Sequence, residues 1–197
     1  MPQDTMIKCD IIKFNEISEM FELKIYYSFH ETPFGKCLIA YTNIEDKGDV
    51  VCHLSYDNGK ESDVVQHLKS RYPGALFIAN TNATKKIINA IFYQNEESNN
   101  ICISVLLKGT DFQMQVWEAL TQIPTGTLYT YEELAKTINK PKAARAVASA
   151  LKANQIGYLI PCHRVVCKSG CNKFSWCTQI KEKMQEYEKT LMNNGLY

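Results

Sequence analysis

Residues 130–152 read TYEELAKTINKPKAARAVASALK. Thr130, with Glu133 three residues on, forms a capping box. A helix therefore starts there, with Leu134, Ala135 and Ile138 turned inward. Asn139-Lys140-Pro141 reads as a turn, and Pro141 suits the first turn of a further helix. In that helix Ala144, Val147, Ala148 and Leu151 fall at i, i+3, i+4 and i+7, an apolar core stripe. Lys142, Arg145, Ser149 and Lys152 fall at i, i+3, i+7 and i+10 on a different face. A short helix, a tight turn and a second helix with a basic outer stripe is the helix-turn-helix pattern. An ordinary helical hairpin with a solvated lysine face shares this spacing. Alanines surround Arg145 at 143, 144, 146 and 148. Small side chains let a backbone approach a ligand surface, although alanine is also a good helix former.

Working upstream, Thr110 and Gln113 form another capping box. It precedes a stripe of Phe112, Val116, Trp117 and Leu120, and Ile123-Pro124-Thr125-Gly126 ends that helix. Downstream, Ile180, Met184, Tyr187 and Leu191 form the inner stripe of a last helix. The earlier residues read differently. Residues 23–29, 37–42, 50–56 and 101–107 are short β-prone runs, with a turn at Pro33-Phe34-Gly35. Val64, Val65, Leu68 and Tyr72, then Ile87, Ile88, Ile91 and Phe92, fit two helices. The fold class is α+β, with a first domain over residues 1–108 and a mostly helical second domain over 109–197.

The chain has 197 residues, enough for one domain or two small ones. Apolar residues at 45% and charged residues at 22% exclude a disordered chain. No run approaches a membrane span, and no signal-peptide apolar region follows residues 1–10. A soluble intracellular protein with reduced thiols is expected: cytoplasmic, or nuclear in a eukaryote, and not secreted. The net charge of +1 hides a split. Residues 1–108 carry 11 Lys/Arg and 14 Asp/Glu, while residues 109–197 carry 11 and 7. Residues 134–181 hold nine Lys/Arg and no acid, a candidate face for a polyanion. Two of the three arginines, Arg145 and Arg164, lie in it. Cys9, Cys37, Cys52, His53, His67 and Cys102 show no zinc spacing, so no metal or cofactor is expected.

Ile160-Pro161-Cys162-His163-Arg164-Val165-Val166 carries the chemistry. Cysteine attacks as its thiolate. The adjacent imidazole can take the proton, nearby cations favour the anion, and Pro161 fixes the approach of the chain. A lone Cys-His pair is weak evidence; its neighbours strengthen it.

Pro161-Cys162-His163-Arg164-Val165 resembles the active-site motif of the O6-alkylguanine-DNA alkyltransferases, or methylated-DNA–protein-cysteine methyltransferases. The resemblance runs through Gly109-Thr110-Asp111-Phe112-Gln113, Val116-Trp117, Ile123-Pro124, Gly126, Tyr131 and Leu134-Ala135. It continues through residues 141–147 and Asn154, and it looks most like the bacterial adaptive-response type. It implies a ribonuclease-H-like first domain and a helix-turn-helix second one. It implies a monomer that repairs O6-alkylguanine in double-stranded DNA and uses no cofactor. Cys162 then matches the alkyl acceptor, which acts once. His163 matches the base working through a water, and Glu188 the carboxylate that orients it. Arg145 matches the finger that replaces the flipped nucleotide. Tyr131 matches the residue that crowds the 3′ phosphate and hydrogen-bonds the guanine. Asn154 matches the hinge that braces the cysteine turn. Lys142, Ser149 and Lys152 are candidate phosphate contacts.

Val165, Phe174, Ser175 and Trp176 are the expected pocket wall. Here the chain departs from the family: Phe174 stands for a tyrosine and Cys177 for a glycine. With Trp176 narrowing the pocket, methyl adducts are expected to be accepted and benzyl adducts poorly. Two rivals remain: a lesion-binding relative without transfer, in which the acceptor cysteine is replaced, and a cysteine hydrolase, for which no oxyanion-hole motif is visible.

Overall fold

The β-prone runs of the first half pair into one mixed sheet in the computed structural model, which describes residues 8–16, 23–56, 59–93, 102–168 and 177–193. Its strands are Lys8–Lys13 (β1), Lys24–Thr32 (β2), Gly35–Ile44 (β3), Gly48–Tyr56 (β4), Leu76–Ala79 (β5) and Cys102–Leu107 (β6). They lie in the order β1-β6-β4-β3-β2-β5. β2, β3 and β4 are antiparallel, while β1 and β4 run parallel to β6, and β5 runs parallel to β2. The β2–β3 turn closes at Gly35, whose φ of 125° only glycine adopts readily. Helices Glu61–Arg71 (α1) and Thr81–Phe92 (α2) cover the two faces. Leu68 and Tyr72 pack with Ile25, Leu38, Ala40, Val50 and Cys52. From the opposite side Thr81 and Thr84 of α2 meet Ser28 and His30. Both faces are therefore covered, and residues 37–42 are buried without alternation. Strands β1 and β5 escape sequence reading: one is largely polar and the other has only four residues.

The described residues divide into two compact units, one from Lys8 to Lys108 and one from Gly109 to Asn193. The second contains helices Asp111–Thr121 (α3), Tyr131–Thr137 (α4), Ala144–Lys152 (α5) and Thr178–Asn193 (α6). Short strands Tyr129–Thr130 (β7) and Val165–Val166 (β8) pair in parallel. A 3-10 turn, Cys162–Arg164, leads into β8. Mixed sheet and helices together make the chain α+β. Both capping boxes form: Thr110 with Gln113 opens α3, and Thr130 with Glu133 opens α4. Trp117, 2% exposed, ties α3 to α5 by donating from Nε1 to the Ala150 carbonyl at 3.0 Å.

Two expectations for α5 need correction. Pro141 does not open the helix. Residues 140–143 form a turn closed by Ala143 N–H to the Lys140 carbonyl, and the helix starts at Ala144. Lys142 therefore precedes the helix. The buried stripe is Val147, Ala150 and Leu151, whereas Ala144 and Ala148 are only partly buried. No helix among the described residues is long and apolar enough to cross a membrane.

Candidate active site

The turn that carries Cys162 is held from inside the fold. Asn154, 1% exposed, follows α5. Its Nδ2 donates to the Ile160 carbonyl at 3.0 Å and to Cys162 Sγ at 3.4 Å, and its Oδ1 accepts from the Ile156 amide at 2.9 Å. Cys162 N–H donates to the Ile160 carbonyl at 2.8 Å. Tyr158 adopts a φ of 67°, a strained conformation for a bulky side chain. It thereby stacks flat on the His163 ring, 5.7 Å between centroids and 8° between planes.

His163 is fully buried, and its Nε2 lies 2.7 Å from Glu188 Oε1. With that nitrogen donating to the carboxylate, the neutral ring presents Nδ1 as an acceptor. Nδ1 makes no hydrogen bond to a described residue. Burial, then the cations Arg164 and Lys181, hold the imidazole below its ordinary 6.5, against the pull of Glu188. Burial works against the charge of Glu188, but His163 and Arg164 prevail and hold that carboxyl down at about 2. The residues thus form a neutral base backed by a charged carboxylate.

The thiol departs from the sequence expectation. Nearby cations were expected to favour the anion. Instead, burial pushes Cys162 up to about 11, with the Asn154 hydrogen bond and Lys181 only partly offsetting it. A thiol in a dry site keeps its proton until a base removes it.

Cys162 opens onto a cavity of about 770 Å³. Tyr131, Glu132, Arg145, Ala148 and Lys152 are among the residues lining it. The structure thus gathers Cys162, Tyr131, Arg145 and Lys152 at one cavity, with His163, Glu188 and Asn154 behind. Lys142 and Ser149 are exposed and do not line it. Val165 is fully buried in β8, and the cavity at Cys162 is lined by other residues. Phe174, Ser175 and Trp176 lie outside the described residues, as does Cys171.

Two inward-turned partners escape sequence reading. Arg164, counted in the acid-free basic stretch, is bound to Glu188 through Nε and Nη2. Lys181 is 1% exposed and donates to the Val165 carbonyl at 2.6 Å. Its spacing with Met184 and Glu188, at i, i+3 and i+7, was the available signal. On the same face Gln185 donates to the His163 carbonyl at 2.7 Å.

A buried thiol, an acceptor nitrogen and a cavity lined by arginine and lysine thus come together at one place in the second unit. Residues 111–190 match the family described as "6-O-methylguanine DNA methyltransferase, DNA binding domain". A methylated-DNA–protein-cysteine methyltransferase of Methanosarcina barkeri is 35% identical over 151 residues, 74% of this chain and 85% of that protein. The Escherichia coli "Bifunctional transcriptional activator/DNA repair enzyme Ada" is 32% identical over 168 residues, 84% of this chain but 46% of its own length. The chain spans about half the length of that relative. The crystal structure of Mycobacterium tuberculosis O6-methylguanine methyltransferase superposes with a TM-score of 0.58 at 30% identity, covering 84% of this chain and 93% of the other. That of Mycobacterium tuberculosis OGT in complex with DNA also scores 0.58, at 26% identity and the same coverage. The chain belongs to the methylated-DNA–protein-cysteine methyltransferase family.

Proposed function

We propose that the chain repairs DNA by transferring the alkyl group of O6-alkylguanine, methyl above all, to its own Cys162. The carrying observation is that Cys162 opens onto the cavity lined by Tyr131 and Arg145, with a neutral His163 held by Glu188 behind it. The substrate is double-stranded DNA, a reading supported by the relative above that was crystallised in complex with DNA. A base stacked in a duplex cannot reach a pocketed thiol, so the nucleotide is flipped out. In this reading α4 and α5 act as a helix-turn-helix and α5 lies in the minor groove. The small side chains of Ala144 and Ala148 let the duplex approach, and Arg145 fills the gap in the stack. Lys142, Ser149 and Lys152 contact phosphates, which suits damage that occurs in any sequence. The unit from Gly109 to Asn193 is the DNA-binding and alkyl-acceptor domain. The other is a structural domain of ribonuclease-H-like type. One monomer acts inside the cell, on one lesion.

The chemistry follows from the geometry. One water relays the thiol proton to Nδ1 of His163, and Glu188 stabilises the imidazolium that forms. The thiolate attacks the alkyl carbon, an S–C bond forms, and the bond from that carbon to O6 breaks. The guanine leaves as an anion to which the Tyr131 hydroxyl, on a residue lining the cavity, donates a hydrogen bond, and the proton held on His163 returns through solvent to neutralise it. The thioether does not hydrolyse at neutral pH, so turnover stops at one.

The test is to incubate the protein with a duplex bearing labelled O6-methylguanine and weigh its peptides. A gain of one CH₂ on the peptide containing Cys162, absent in Cys162→Ser, is expected. Label retained on DNA with protein bound would identify a lesion-binding relative instead, and continued turnover a hydrolase.

A further inference from the structure

Arg164 follows the histidine in the chain, and its guanidinium turns inward, with 14% of the side chain exposed. Nε donates to both Glu188 oxygens, at 3.0 and 3.1 Å, and Nη2 donates to Oε1 at 2.8 Å. Nη1 donates to the Ile123 carbonyl, and Nη2 also donates to Thr125 Oγ1 at 3.0 Å. Glu188 Oε2 accepts from the Gly126 amide at 2.9 Å. The guanidinium and the carboxylate together therefore grip one turn, residues 123–126, at three points. Two residues separate that turn from β7, which pairs with β8 and ends at Thr130, immediately before Tyr131.

We propose that Arg164 is a positioning residue of the transfer reaction. It aims the Glu188 carboxylate at His163, and through the turn at 123–126 it holds the strand that presents Tyr131. The proposal rests on the reading of Cys162 as alkyl acceptor.

Arginine is needed here for its shape. A planar fork fixes a carboxylate in two directions, while a lysine ammonium supplies the charge as a single point. With the fork gone, the carboxylate keeps its charge beside the imidazole but loses its fixed angle to Nε2, and the turn loses its anchor at Ile123 and Thr125. Charge matters separately. The ionisable groups around the imidazole are Glu188 and Lys181 from α6, Arg164 and Cys162 from its own turn, and Tyr158 stacked on it. Among these Arg164 opposes Glu188 in its effect on His163. Removing the guanidinium leaves the carboxylate unopposed and makes the imidazole more basic.

The experiment compares wild type, Arg164→Lys and Arg164→Met in single-turnover transfer across pH, with binding to undamaged duplex alongside. Arg164→Met is expected to slow transfer about tenfold or more, as loss of a near-attack geometry does. The acid limb of its pH profile should move up by about half a unit or more. Arg164→Lys keeps the charge, so its limb should stay with wild type while only part of the rate returns. Its affinity for undamaged duplex, set by α5, should match wild type. An unmoved limb in Arg164→Met, with both variants equally slow, would overturn the proposal and leave a structural ion pair. If Arg164→Met does not fold, Arg164→Lys decides alone: transfer at the wild-type rate overturns it. An NMR titration of the His163 imidazole reads the same coupling without substrate. A wild-type protein that transfers nothing would sink the acceptor reading. Titrations identical in wild type and Arg164→Met would sink this one.

Discussion

Cys162 and His163 are both held away from their ordinary ionisation. The thiol is pushed up to about 11 and the imidazole is held below 6.5, both chiefly by burial. At neutral pH the pair is a protonated thiol beside an unprotonated imidazole, which in the proposed reaction are the acceptor and the base. The proton is then moved only when the base is needed, which protects the thiol from adventitious oxidation. Transfer should accordingly be flat through pH 7 and decline only below 6.5, along the lowered titration of His163. Glu188→Gln keeps the shape of the carboxylate and loses its charge. It should slow transfer about a hundredfold, the scale of general-base assistance, and move the acid limb down, because Glu188 raises the basicity of His163. Quenched single-turnover assays check both; equal rates in wild type and Glu188→Gln would remove the carboxylate from the mechanism. Of these residues the Cys-His adjacency is visible in the chain. The contact of His163 with Glu188 spans 25 residues and exists only once α6 packs on the turn.

The helices around the site are defined by their ends more than by their middles. In α4 the Thr130 hydroxyl accepts from the Glu133 amide at 3.2 Å, while the Glu133 carboxylate accepts from the Thr130 amide at 2.7 Å. This box fixes where the helix begins, and Tyr131 is its first residue. Thr130→Ala should cost about 1 kcal/mol in urea unfolding and slow transfer by loosening Tyr131. An unchanged midpoint would show that packing of Leu134 and Ala135 alone sets the helix. α5 instead has no side-chain cap and starts after a turn. Its stripe was misassigned for that reason. Alternation of small residues leaves the register ambiguous, and only packing separates buried Ala150 from the cavity-facing Ala144 and Ala148. Arg145→Ala should weaken repair of duplex lesions while leaving reaction with free O6-methylguanine base largely intact. Parallel loss of both would place Arg145 in the pocket chemistry instead of the DNA stack.

At the scale of the whole chain, three buried groups make the protein acid-sensitive. His53 in the first unit is fully buried, with Nε2 against Ser55 Oγ at 2.8 Å, and burial lowers it from 6.5 to about 3. His163 is lowered from 6.5 and Glu188 from 4.5 to about 2 in the second. All three folded values lie below the unfolded ones, so each contribution is complete above the unfolded value and is lost as pH falls through the folded one. Stability should therefore fall from pH 6.5 downward, by a few kcal/mol for His53 at about 1.4 kcal/mol per unit. Denaturant titrations between pH 7 and 3 measure this, and His53→Gln should flatten the slope of the first unit. A slope identical in the variant would assign the acid loss elsewhere. Strands β2, β3, β4 and β6, the helices, two of their caps and the reactive dipeptide could be read from the chain because they follow from contacts three or four residues apart, or from short β-prone apolar runs. The sign of the charges at the site could not. Arg164 and Lys181 read as members of a basic stretch until Glu188 pairs the one and packing of α6 buries the other, and the thiol of Cys162 reads as favoured toward its anion until its surroundings exclude water. Burial and field at one atom depend on every neighbour, and those neighbours are assembled only when distant segments pack.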